Sequence, residues 1–222
     1  MKQAAHRSGA RVAALFACAL LALGLGQTSS AQQVPLRLNY EYRLIDPRPV
    51  GTGERIEVVE FFWYGCPYCY QLQVPLESWL KRKPADVELR RIPAIFRESW
   101  VPHARIFYTL EALGEIGRLH QAVYHTLHVE KDGLNTANGS ADWAARNGVD
   151  PSRWLAAYMS PDVDRKVEQA RTLTQVYAVQ GTPSIIVDGR YLTSSGMTET
   201  VPGVIPILDG LIRLTRERRA QK

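Results

Sequence analysis

The chain is 222 residues long, 45% hydrophobic and 22% charged, with a formal net charge of +5 and three cysteines. That length fits one domain, or one domain carrying an insertion. The basic runs at 81–83, 90–91 and 216–219 lie apart and lack interleaved aromatics, so they describe solvated helix ends and strand edges rather than a nucleic-acid surface.

The N-terminus sets the expected compartment. Lys2, Arg7 and Arg11 precede an apolar run of 15 residues, "VAALFACALLALGLG", and small residues follow at Ser29 and Ala31. This is the pattern of a cleavable signal peptide over residues 1–31, cut after Ala31. The run is too short for a membrane anchor, which needs about 20 apolar residues. Cleavage removes three positive charges and no acid, so part of the basicity belongs to export. The mature chain of about 190 residues keeps only Cys66 and Cys69, in an oxidising space.

Along the mature chain, "YEYRLI" reads as a short first strand and "DPRPVGTG" as a turn-rich connection. "RIEVVEFFWY" (55–64) is β-branched and aromatic, the signature of a buried central strand. Gly65 allows a sharp turn into a helix over 66–83, with Pro67 in its first turn and Pro75 expected to kink it. "VELRRIPAIF" (87–96) reads as a strand parallel to the previous one, because a helix joins them. From 98 to 160 the pattern is helical, with apolar stripes such as Leu110, Leu113 and Ile116, and Asp150 before Pro151 signals a helix start. Ser160 is a candidate N-cap for a helix over 160–179. "SIIV", Asp188-Gly189 and "YLTS" form a hairpin signal, and a final helix covers about 203–219. The expectation is one α/β layer in two parts, 32–97 and 161–222, divided in sequence by a helical insertion at 98–160.

Cys66 and Cys69, in "EFFWYGCPYCYQL", admit three readings. A structural bridge gains stability by closing a long loop, and a two-residue gap closes almost nothing. Zinc takes four ligands, and the remaining candidates, His103, His120, His125 and His128, all fall in the helical block, so no metal site is expected. A redox pair accounts for more. At a helix N-terminus, backbone N–H groups and the helix dipole stabilise a Cys66 thiolate, and the helical turn holds Cys69 inward. One attackable and one sheltered sulfur suit thiol–disulfide exchange.

Glu60 stands inside the strand six residues before Cys66. Alternation leaves open whether its carboxylate faces solvent or the interior; a buried one would be raised in pKa and placed to relay the proton of Cys69, with Arg91 of the next strand as partner. In "GTP", Pro183 is either cis, giving Thr182 an exposed backbone edge for an extended substrate, or a plain strand-start turn.

"VVEFFWYGCPYCYQL", the helical block and "VQGTPSIIVDGRYLTSSGM" together resemble the thioredoxin superfamily, and within it the DsbA family of periplasmic thiol:disulfide interchange proteins. The resemblance covers nearly all of the mature chain. It implies an α/β thioredoxin fold with an inserted helical domain, an exposed nucleophilic Cys66, a buried Cys69, a cis Pro183 facing the disulfide and a substrate-pairing Thr182. It places Glu60 at the family's buried acid and Arg91 at its basic partner. The implied activity is oxidation of cysteine pairs in reduced, unfolded, newly exported proteins by a periplasmic monomer without a cofactor, reoxidised by an inner-membrane, quinone-linked DsbB-type partner. A reductase or isomerase on the same fold is the rival reading. The dipeptide Pro67-Tyr68 departs from the family's Pro-His, and a neutral Tyr68 implies a weaker oxidant.

Overall fold

The computed structural model describes residues 36–221. The expected signal peptide and its cleavage after Ala31 lie outside the described residues.

A single sheet of five strands organises the described residues, in the order β1-β5-β4-β2-β3. β1 (Arg43–Leu44) is an edge strand of two residues, shorter than the "YEYRLI" segment that announces it. β2 (Ile56–Phe62) is buried along its whole length. Both its faces are covered: Ile56 and Val58 pack with one apolar cluster, Val59 and Phe61 with the other. This is why it reads as a continuous apolar run rather than an alternating one.

α1 (Pro67–Leu80) follows the turn at Gly65, where a Cβ would overlap the Trp63 indole. Pro67 opens the helix, and Pro75 lies within it. Leu72, Leu76 and Trp79 lay its apolar side on the sheet. β3 (Val87–Pro93) runs parallel to β2, as the helical crossover requires. It ends at Pro93 rather than at residue 96, because its partner β2 ends at Phe62; the last bond of the ladder runs from Ala94 N–H to the Phe62 carbonyl at 2.7 Å.

Five helices come next: α2 (Val101–Leu113), α3 (Ile116–His125), α4 (Ala137–Arg146), α5 (Pro151–Tyr158) and α6 (Pro161–Val176). The starts of α5 and α6 are capped as their sequences indicate. Asp150 accepts from Arg153 N–H at 2.7 Å and Ser160 from Val163 N–H at 3.2 Å. A π-helical turn, Thr126–Glu130, extends α3 and has no counterpart in the sequence pattern. Trp143 and Trp154 are fully buried in this region and meet edge to face, with ring centroids 5.8 Å apart.

β4 (Ser184–Val187) and β5 (Tyr191–Ser194) form the expected hairpin. Asp188 and Gly189 both take positive φ, and a Cβ on Gly189 would overlap the Arg48 backbone. α7 (Val204–Ala220) then packs Leu208 and Leu211 with α1 against the sheet. The sheet thus has α1 and α7 on one face and α2–α6 on the other, and the β2–α1 junction lies where the two cores meet. No helix among the described residues is long and apolar enough to cross a membrane.

Candidate active site

The site begins at the end of β2. Cys66 is the N-cap of α1, with extended φ and ψ of −84° and 119°. Its Sγ accepts from the Cys69 backbone N–H at 3.4 Å, and the thiol donates to the Thr182 carbonyl at 3.2 Å. Both cysteines are free thiols here. Cys66 retains 6% of its surface and Cys69 none. The expected asymmetry is therefore present, but Cys66 is more covered than the exposed sulfur that the resemblance implies.

Their acidities diverge. The Cys69 thiol, donating to the Cys66 sulfur, holds the Cys66 pKa down to about 6 from an ordinary 9.0, with the Thr182 side chain and then the backbone N–H groups of Cys69 and Tyr68 adding to the effect against the cost of burial. Burial drives the Cys69 thiol well above its ordinary range, and the neighbouring Cys66 charge adds to this. A reduced pair thus carries a thiolate at Cys66 and a proton at Cys69 at neutral pH.

Beneath the pair is a polar network. Glu60 is fully buried, and its register partner on β3 is Arg91. Arg91 Nε donates to Glu60 Oε2 at 2.9 Å, and its terminal nitrogen reaches Glu77 Oε1 at 2.7 Å. Burial raises the Glu60 carboxyl in spite of Arg91. Burial disfavours the Arg91 charge, yet the two carboxylates beside it raise its pKa on balance. The interior alternative for Glu60 is the one the fold adopts.

Several members of the network were not singled out from sequence. Gln73 Nε2 lies 3.3 Å from Glu60 Oε1, 3.2 Å from the Cys69 carbonyl and 3.5 Å from the Tyr124 hydroxyl, and Gln121 donates to Gln73 Oε1 at 3.2 Å. The one available signal is its place four residues after Cys69, which puts both on one face of α1. Tyr64 OH meets His120 Nδ1 at 2.8 Å; burial, then Arg91, depress the histidine's pKa well below its usual value. His128 Nε2 donates to the Tyr64 carbonyl at 2.8 Å, and its ring stacks on Tyr70 at 4.8 Å. The four histidines do not gather: His103 binds the Gly133 carbonyl, and no group of three metal-ligating side chains exists among the described residues.

Beside Cys66, the Thr182–Pro183 peptide is cis. Tyr68, more than half exposed, forms with Thr182, Pro183 and Met197 part of the wall of a groove of about 430 Å³.

A thioredoxin-type sheet interrupted by helices, with a Cys-Pro-Tyr-Cys pair at a helix start beside a cis-proline, defines a protein thiol:disulfide oxidoreductase. The DSBA-like thioredoxin domain family matches residues 91–205, and the chain belongs to that family. Among its relatives, the thiol:disulfide interchange protein DsbA of Burkholderia cepacia is 34% identical over 200 residues, covering 90% of this chain and 93% of that protein. The same protein of Pseudomonas aeruginosa is 36% identical over 209 residues, covering 94% and 98%. The crystal structure of Pseudomonas aeruginosa DsbA superposes with a TM-score of 0.80 at 36% identity, over 84% of this chain and 97% of that one. The oxidoreductase DsbA from Xylella fastidiosa gives 0.73 at 32% identity, over 81% and 96%.

Proposed function

We propose that the protein is a periplasmic oxidase that donates the Cys66–Cys69 disulfide to newly exported proteins and works as a monomer. The observation that carries this reading is the divided acidity of the pair, a sulfur with pKa about 6 beside one held well above its ordinary range. A client thiolate attacks Cys66 Sγ, the Cys66–Cys69 bond breaks, and its electron pair passes to Cys69, which takes up a proton. Glu60, raised by burial and sharing Gln73 with the Cys69 carbonyl, relays that proton, and Arg91 keeps the carboxyl in place. A second client thiolate then attacks the client's own sulfur in the mixed disulfide. Cys66 leaves as a stable thiolate, which favours release of the reduced protein over reversal.

In this reading the backbone of Thr182 pairs with the extended client, and Pro183 and Pro67 shape the approach to Cys66. Reoxidation falls to a quinone-linked DsbB-type membrane partner. The leader 1–31 is removed on export, and the functional parts are a thioredoxin-like domain in two pieces, 32–97 and 161–222, around the helical domain 98–160. Neutral Tyr68 makes the protein a weaker oxidant than a relative with histidine there.

The test is oxidation of a reduced, unfolded cysteine-containing protein. Cys66→Ser is expected to abolish it, and Cys69→Ser to accumulate mixed disulfides. Undiminished oxidation by Cys66→Ser ends the proposal. Equilibration of the pair against glutathione separates oxidase from reductase or isomerase, since a strongly reducing potential supports the latter.

A further inference from the structure

We infer that Arg43 makes this protein prefer clients with an acidic residue close to the reacting cysteine. The inference rests on the oxidase reading and adds to it a substrate class. Of the side chains lining the groove beside Cys66, Arg43 is the one with a formal charge; the remainder are apolar, hydroxylic or amide. It enters from β1, where it stands opposite Leu192 of β5, another wall residue. A nitrogen of its guanidinium donates to the Ala178 carbonyl at 2.9 Å, which fixes the head group and uses one of its N–H donors. It forms no salt bridge among the described residues. Two acids, Glu41 and Glu199, line the adjoining groove that shares Gly196 and Met197, and Glu41 is already held by Arg37.

A client laid along the Thr182 backbone has its cysteine over Cys66 and its flank over this single fixed cation. A partly exposed pair of this kind contributes modestly, yet it separates attraction from repulsion between otherwise identical peptides. The guanidinium's fork also suits a carboxylate better than a point charge would.

The experiment uses the oxidised mature protein and reduced dithiol peptides identical except for Glu, Gln or Lys at each of the three positions on either side of the first cysteine. Second-order oxidation rates are measured at low and high salt. In at least one register the Glu peptide is expected to exceed the Lys peptide by roughly three- to tenfold at low salt. That ratio should shrink at about 1 M salt, vanish in Arg43→Met, invert in Arg43→Glu and persist in Arg43→Lys. Because each ratio is taken within one protein, partial unfolding of a variant leaves it unaffected. An equal Glu-to-Lys ratio across wild type and the variants overturns the assignment and leaves the oxidase reading standing. A wild type that oxidises none of the peptides overturns both.

Discussion

The Cys66 thiolate owes its stability first to the Cys69 S–H, next to the Thr182 side chain and then to backbone N–H groups at the start of α1, so removing the first donor alone has a defined consequence. In reduced wild type, a pKa of about 6 makes Cys66 roughly 90% thiolate at pH 7, against about 1% for a thiol at 9.0. Cys69→Ala deletes the sulfur donor and leaves the backbone donors and the helix dipole. A hydrogen bond to a charged group contributes about 1.5 kcal/mol or more, which is about one pH unit. The Cys66 midpoint should therefore move to about 7, still well below 9.0. Thiolate absorbance in the ultraviolet and alkylation rate against pH both read this midpoint. The wild type should show a single thiolate between pH 4 and 9, since Cys69 stays protonated there. An unmoved midpoint in Cys69→Ala would refute the sulfur hydrogen bond as the leading cause. A wild-type midpoint near 9 would refute the helix-start account as a whole. The sign for stability follows from the depressed value: the reduced form's gain from Cys66 is complete above the unfolded pKa and is lost as pH falls through about 6.

Arg91→Met should leave Glu60 buried with only Gln73 as partner and destabilise by about 3 kcal/mol at pH 7. Because the carboxyl's pKa is raised on folding, its contribution is most favourable at low pH and is lost as pH rises, so denaturant midpoints of this variant and wild type should converge toward pH 4. A pH-independent difference would count against a charged Glu60. Tyr68→His should lower the Cys66 pKa and make the pair more oxidising, read by glutathione equilibration; an unchanged potential removes the argument from the dipeptide. Ser160→Ala should cost about 1 kcal/mol through the lost bond to Val163 N–H, measured by urea unfolding. Leu208→Ala, fully buried between α7 and the sheet, should cost about 2–5 kcal/mol, and a loss below 1 would show that this core can collapse around the gap.

The elements most legible in the sequence are those set by local chemistry. Gly65 and Pro67 mark the turn and helix start that place Cys66 as N-cap, Asp188-Gly189 marks the hairpin, and Asp150 and Ser160 mark two helix starts. The Glu60–Arg91 pair was legible as a possibility, because neighbouring strands bring them to one register position, but burial of the carboxylate depends on α1 lying over that face. Gln73, Tyr124, Gln121 and His120 were illegible as a group. Their contacts join residues 13 to 56 positions apart in sequence, and no periodicity encodes which side chain of one helix meets which of another. The π-helical turn was hidden for a similar reason, its His128 being held by the Tyr64 carbonyl and the Tyr70 ring rather than by its own neighbours.

β3 closes the sheet on one side, and its outermost backbone is a template onto which any extended polypeptide could add. Under the oxidase reading proposed above, the protein meets such polypeptides continually. Glu88 and Arg90 in the strand, and Pro93 at its end, make that rim a poor landing place for a sticky chain. In that reading, polypeptides kept off that border remain free to engage the sulfur end of the molecule, so the same charged rim that deters clumping also favours productive encounters.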